Sequence, residues 1–235
     1  MRHNQLLVSL YRCVATLFLV MASSVSAQTS GGLYAPEPPP GSTYIRFLVS
    51  QTDGAVDILV DGRSGVTKLP AGQASPYLIL PGGKHSVELR SGGAGQAALK
   101  TDVEVSAGRA VTVAFASLAA NSRPLLLTDK TASNQLKALL TLYNLQSGGS
   151  ELDVLIADTN TKVLAGVASS ASASIAVNPI SVKLAVVRRG ETSALGQVQL
   201  SMVAGGAYSI FVLTGADGKL QVQSSQNRTE PFTKR

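Results

Sequence analysis

The chain has 235 residues, a formal net charge of +6, 14% charged and 45% hydrophobic residues, and two histidines and one cysteine. That composition supplies enough apolar side chains for a core and argues against disorder beyond the ends, and the charge is too sparse for a nucleic-acid footprint. Two of the basic residues, Arg2 and Arg12, and the single cysteine, Cys13, fall in the first 27 residues.

Residues 1–27 read as a signal peptide. Basic Arg2 is followed by an apolar run from Val14 to Ala22, and Val25-Ser26-Ala27 is a small-residue cleavage signal. The run is too short for a comfortable membrane span, although an uncleaved anchor is the alternative. Cleavage after Ala27 leaves a chain without cysteine, hence without disulfides or thiol chemistry. Residues 28–42 form a proline-rich arm. Pro36, Pro38, Pro39 and Pro40 forbid a regular helix or a central strand and favour an extended conformation. With Tyr34 they suit docking to another protein, because prolines lower the entropy lost on binding; a plain spacer is the alternative.

Beyond the arm, apolar residues alternate in short sets. Ile45/Phe47/Val49, Val56/Ile58/Val60, Val87/Leu89, Val103/Val105 and Val111/Val113/Phe115 come first. Ala138/Leu140/Leu142, Leu152/Val154/Ile156, Val182/Leu184/Val186, Val198/Leu200 and Tyr208/Ile210/Val212 follow. A period of two marks strands with one buried face. Between the sets lie turn signals such as Asp53-Gly54, Asp61-Gly62, Pro81-Gly82-Gly83 and Asp217-Gly218. The pattern predicts an all-β fold of two tandem β-sandwich, immunoglobulin-like domains, at residues 43–122 and 135–225. A linker at 123–134 and a C-terminal tail at 226–235 complete the division.

The halves echo one another at a spacing of about ninety-five residues, as tandem duplication leaves them. Val56-Asp57-Ile58-Leu59-Val60 is matched by Leu152-Asp153-Val154-Leu155-Ile156, Ser86–Leu89 by Ser181–Leu184, and Val103–Ser106 by Val198–Ser201.

Catalytic chemistry finds little support. His85 is the one histidine beyond the leader, and at a turn-to-strand junction it reads as a surface residue rather than a general base. No Gly-Asp-Ser or Asp-x-x-His block occurs, and the serines between Ser169 and Ser174 read as a flexible link. Asp53, Asp57 and Asp61 recur every fourth residue, a spacing that does not converge on a metal from strands and turns. No cofactor motif is present, and no catalytic, cofactor or metal residue is assigned. Arg46, Lys183, Arg188 and Arg189 are the candidates for contact with an anionic polymer or a partner. A solvated strand end is the alternative for the last three. Aromatics at 5% with no Trp argue against a sugar-stacking platform. Asn227-Arg228-Thr229 fits a glycosylation sequon, a pattern common by chance.

Four groups of residues resemble a known family. They are Leu33-Tyr34-x-Pro36-x-Pro38-Pro39; Ala74-Ser75-Pro76-Tyr77 with Leu80-Pro81-Gly82; Gln135–Leu140 with Asn144-Leu145; and Val177-Asn178-Pro179 with Val182-Lys183-Leu184. In this order they resemble the periplasmic alginate O-acetylation protein family AlgF. The resemblance implies a periplasmic, non-catalytic accessory of exopolysaccharide O-acetylation. Its partners would be a periplasmic acetyltransferase with a serine-hydrolase-like site, a membrane acyltransferase, or both, with an anionic polysaccharide as a further contact. Alginate is the expected polymer, with cellulose and others open. An acetyl carrier or transferase component, and a general envelope carbohydrate- or protein-binding sandwich, are the alternatives.

Overall fold

A computed structural model describes residues 39–91 and 98–231. Among them there is no helix, and two β-sandwiches follow one another in the chain. The first contains β1 (Ser42–Val49), β2 (Val56–Val60), β3 (Arg63–Leu69), β4 (Leu78–Pro81), β5 (Gly83–Ser91), β6 (Leu99–Val105), β7 (Ala110–Phe115) and β8 (Leu125–Asp129). The second contains β9 (Ala138–Asn144), β10 (Leu152–Ile156), β11 (Lys162–Val167), β12 (Ala171–Val177), β13 (Ser181–Arg188), β14 (Ala194–Ser201), β15 (Ala207–Thr214) and β16 (Leu220–Gln226).

Each sandwich has two four-stranded sheets. Their orders are β4-β1-β7-β8 and β3-β2-β5-β6 in the first, and β12-β9-β15-β16 and β11-β10-β13-β14 in the second. Adding eight to every strand number turns one half into the other, including the parallel pairs β1 with β7 and β9 with β15. The echoes in the sequence thus fall on equivalent strands, but two of them are out of register. Val60 pairs with Val87 while Ile156 pairs with Leu184, so Val87 corresponds to Leu184 and not to Val182. The β6 and β14 echo is shifted by the same two residues, since Val87 pairs with Thr101 and Leu184 with Val198. A slip of two keeps every side chain on its own face, so alternation cannot reveal it.

The predicted alternation builds both cores. Ile45, Phe47, Val49, Val56, Ile58, Val87, Leu89, Val113 and Phe115 meet inside the first sandwich. Leu140, Leu142, Leu152, Val154, Leu184, Val186, Ile210 and Val212 meet inside the second. The Asp61-Gly62 turn closes the β2–β3 hairpin with φ of 52° and 76°, the two positive values that a type I′ turn requires.

The aspartate shared by the echo motifs has a repeated structural use. Asp57 Oδ1 accepts the Lys68 N–H at 2.8 Å and Asp153 Oδ1 accepts the Gly166 N–H at 2.7 Å, each where the neighbouring edge strand shifts register. Lys68 and Gly166 both have positive φ, 51° and 66°, so each carboxylate holds a left-handed backbone bend, which strains the lysine but not the glycine. Burial raises the Asp153 carboxyl pKa, but Lys162 Nζ at 2.7 Å, the Gly166 N–H and nearby Arg189 outweigh it and hold the group below its ordinary value. A depressed carboxylate stabilises the fold above its unfolded value near pH 4, and that contribution is lost as pH falls through the folded value. Asp153→Asn is therefore expected to lower stability by about 1–2 kcal/mol at pH 7. The gap from wild type should shrink below about pH 4 in urea midpoints; a gap independent of pH would contradict the ion pair's role.

Three sequence expectations are corrected here. The segment 123–134, read as a linker, supplies β8, which pairs with β7 and forms the edge of the first sheet. The serine–alanine run supplies most of β12, paired along its length with β9, because its small side chains fit an edge strand. The tail read as starting at 226 returns to the first sandwich. Tyr77 N–H donates to the Arg228 carbonyl at 2.8 Å and Glu230 N–H to the Tyr77 carbonyl at 2.9 Å, forming a parallel bridge beside β4.

The two sandwiches belong to one compact unit and share a third apolar cluster of Leu48, Ala114, Leu127, Tyr143, Phe211 and Leu213. Strands β7 and β9 are consequently buried at every position, one face in their own sandwich and the other between the two.

Candidate functional site

A cleft lies where the edges of β3 and β4 diverge. It has a volume of about 630 Å³, within the range of ligand-binding clefts. Val60, Leu78, Ile79 and Leu80 provide apolar surface, Pro39 to Ser42 form one wall, and Asp61, Arg63, His85 and Glu230 bring the polar groups. The wall is fixed by Ser42, whose N–H and hydroxyl both donate to the Pro39 carbonyl at 3.1 and 2.7 Å.

His85 is buried at 6% exposure, which corrects its reading as a surface residue. The Asp-Gly hairpin turns Asp61 back toward β5, so its carboxylate meets His85 Nδ1 at 2.7 Å and accepts the Ser86 N–H at 2.9 Å. On the other side of the ring, Nε2 lies 2.9 Å from the Pro81 carbonyl. The hydrogen bond from His85, helped by the Ser86 N–H and the nearby Arg63 charge, outweighs burial and holds the Asp61 carboxyl below its ordinary value. Both ring nitrogens thus face groups that only accept, which leaves neither free to take a proton from a nucleophile. The arrangement locks the β2–β3 turn to the start of β5. Among the described residues no group of three His, Cys, Asp or Glu is placed to hold a metal ion.

The sequence-predicted contacts are scattered. Tyr34, Pro36 and Pro38 lie outside the described residues, whereas Pro39 is exposed on the cleft wall. Lys183 is exposed on β13. At the end of the same strand Arg188 lies 3.6 Å from Glu191, and Arg189 is ion-paired with Glu151, which raises the Arg189 pKa. Both arginines therefore already have acidic partners within the second sandwich.

Arg46 is a correction. It is 1% exposed and cannot reach a polymer or a separate partner. β1 is a central strand, and the face opposite Ile45 and Phe47 is covered by the second sandwich. There the guanidinium donates from Nε to Thr112 Oγ1 at 2.8 Å, from Nη1 to Asn227 Oδ1 at 2.8 Å, and from Nη2 to the Tyr143 hydroxyl at 2.9 Å and Ser209 Oγ at 3.0 Å. Thr112 and Ser209 occupy equivalent places on β7 and β15, so one arginine is gripped by the same position of both halves. The buried Asp129 carboxylate balances the charge through hydroxyls, accepting from Tyr77, Tyr143 and Thr112 at 2.7 Å each, with Arg46 Nε at 3.9 Å. Burial pushes the Tyr143 hydroxyl up to about 12, against the opposing effect of Arg46, and raises Tyr77 as well. Both phenols thus stay protonated donors at neutral pH. Asn227, the sequon residue, spends its side-chain oxygen on Arg46 and Ser209.

Comparison with known proteins places these features in context. A family model described as "Alginate O-acetyl transferase AlgF" matches residues 16–224. The chain is 26% identical over 211 residues to the "Alginate biosynthesis protein AlgF" of Pseudomonas aeruginosa, covering 89% of each. It is 25% identical over 194 residues to the protein of that name from Pseudomonas putida, covering 83% of each. Among solved structures, the C-terminal domain of AlgF from P. aeruginosa aligns at 29% identity with a TM-score of 0.33, covering 39% of this chain and 99% of that one.

Proposed function

Because this chain belongs to the AlgF family, we propose that it serves the O-acetylation of alginate as a non-catalytic adaptor in the periplasm. The observation that carries the non-catalytic part is His85: its nitrogens are held by Asp61 and the Pro81 carbonyl. The two sandwiches joined through Arg46 offer a preformed scaffold. Holding an acetyl-transferring enzyme near the membrane acyltransferase or the polymer raises effective concentration rather than lowering a chemical barrier. The signal-peptide reading of residues 1–27 fits export. Among the described residues no helix is long and apolar enough to cross a membrane.

The family description, which names a transferase, favours a second reading in which the chain carries acetyl itself. A strain lacking the chain is expected to secrete polymer with its acetyl content lost, and restoring the chain should restore acetyl. A folded His85→Gln variant should restore it equally under the adaptor reading. Trapping of labelled acetyl on the purified chain, or failure of that variant while it still binds the acetyltransferase as the wild type does, would favour the carrier; unchanged acetyl in the deletion strain would remove both readings.

A further inference from the structure

The outer edge of β4 is only partly used. Gly82 N–H donates to the Gly41 carbonyl at 3.0 Å, and antiparallel pairs alternate between bonded and non-bonded. Thr43 with Leu80 and Ile45 with Leu78 are therefore bonded pairs, and Tyr44 with Ile79 is a non-bonded one. The N–H and C=O of Ile79 consequently point away from β1, into the cleft. Those of Tyr77, two residues earlier, point the same way and are filled by Arg228 and Glu230, while the Pro81 carbonyl, two residues later, meets His85. Between these filled positions the Ile79 N–H has no acceptor among the described residues. The chain's own C-terminal segment thus shows that this edge accepts an extended strand, and the bridge it forms stops one register step short of Ile79.

The lining decides what kind of molecule fits. It contains no Phe, Tyr or Trp ring on which a sugar could stack, and Asp61 and Glu230 would repel a polyuronate. It does contain an open strand edge above Val60, Leu78 and Leu80, with Arg63 and Glu230 as exposed charges of opposite sign, neither in a salt bridge among the described residues. Strand edge, apolar pockets and mixed charge are what β-addition of an extended polypeptide uses. The geometry points to this cleft as the docking site for an extended segment of a partner protein of the acetylation machinery, added to β4 through the backbone of Ile79. The inference rests on the adaptor reading and gives that reading a location.

The test uses the full mature chain and the purified periplasmic serine-hydrolase-type acetyltransferase of the same strain. Binding is measured by calorimetry and amide exchange is followed at Ile79. Ile79→Pro removes the outward N–H without removing a β1 ladder bond. It is expected to weaken binding at least about tenfold at an unchanged thermal midpoint, and the wild-type Ile79 amide should exchange at least about tenfold more slowly in the complex. The exchange result stands even where the proline variant is destabilised. Equal binding by both forms without protection of Ile79 overturns the cleft while leaving the adaptor reading in place. No binding of the wild-type chain to the acetyltransferase or to the membrane acyltransferase removes the adaptor reading and the cleft with it. Three results would assign the cleft to another occupant and overturn the proposal. These are self-association lost in Ile79→Pro, protection of Ile79 by alginate oligosaccharide, or faster Ile79 exchange in the free chain after deletion of residues 28–38 or 232–235.

Discussion

Replacing Arg46 by methionine is expected to lower stability by about 3–5 kcal/mol, the cost of leaving one partner of a buried charge pair behind. Arg46 and Asp129 both have side chains 1% exposed. Without the guanidinium, Asp129 keeps three hydroxyl donors but no balancing charge, and the oxygens of Thr112, Ser209 and Asn227 lose their shared donor. Lysine is expected to rescue little, since one ammonium cannot reproduce a planar fork that reaches four acceptors. The guanidinium carbon also lies 4.7 Å from the Tyr77 ring centre and 5.2 Å from those of Tyr143 and Phe211. Pairing Arg46→Met with Asp129→Asn should recover at least about 1 kcal/mol relative to the sum of the single variants, because the stranded charge is gone. Urea unfolding of the four proteins measures this cycle. A loss below about 1 kcal/mol for Arg46→Met would show that the network is dispensable.

Phe211→Ala is expected to cost a similar amount, about 3–5 kcal/mol, and to act differently. Phe211 lies on β15 between Ile210 and Val212, which point into the second core, so its own ring points the other way. It is 1% exposed, stacks on Tyr143 at 4.9 Å between ring centres, and packs among Leu48, Ala114, Leu127 and Leu213. Removing it opens a cavity between the sandwiches and leaves both internal cores intact. The expected result is that amides of β1, β7 and β8 exchange at a different free energy from those of β9 and β15, while the wild-type chain opens both sets together. Leu142→Ala is the control, because its cavity falls wholly inside the second sandwich. If Phe211→Ala unfolds in one step with both sets still matched, the inter-sandwich contact is not what couples the halves.

These two variants also bear on function. An adaptor fixes the distance between the molecules it holds, and a hinge between the sandwiches would blur it. Phe211→Ala should therefore reduce acetylation more than Leu142→Ala of equal stability.

The sequence by itself determined ten of the sixteen strands, the two cores, the hairpin at Asp61-Gly62 and the repetition of the halves, because alternation and turn chemistry are local properties of the chain; the edge strands β3, β4, β8, β11, β12 and β16 escaped that pattern. It also carried an unread signal of the interface. Leu48, Leu139, Tyr143, Phe211 and Leu213 sit on the faces of the alternating strands opposite the cores, and apolar residues on both faces mark a strand covered on both sides. Tertiary structure alone decided the rest. Arg46 stands in a strand like any surface arginine, and its hydrogen-bond partners lie 66 to 181 positions away in the chain. His85 meets Asp61 because a type I′ turn folds the aspartate back onto β5, and the pairing register, which a shift of two leaves unchanged in pattern, fixes the match. The cleft beside β4 arises where two sheet edges part and the C-terminal segment pairs at Tyr77 but not at Ile79. That depends on how Thr229 and its neighbours come to lie beside β4, which no local pattern records.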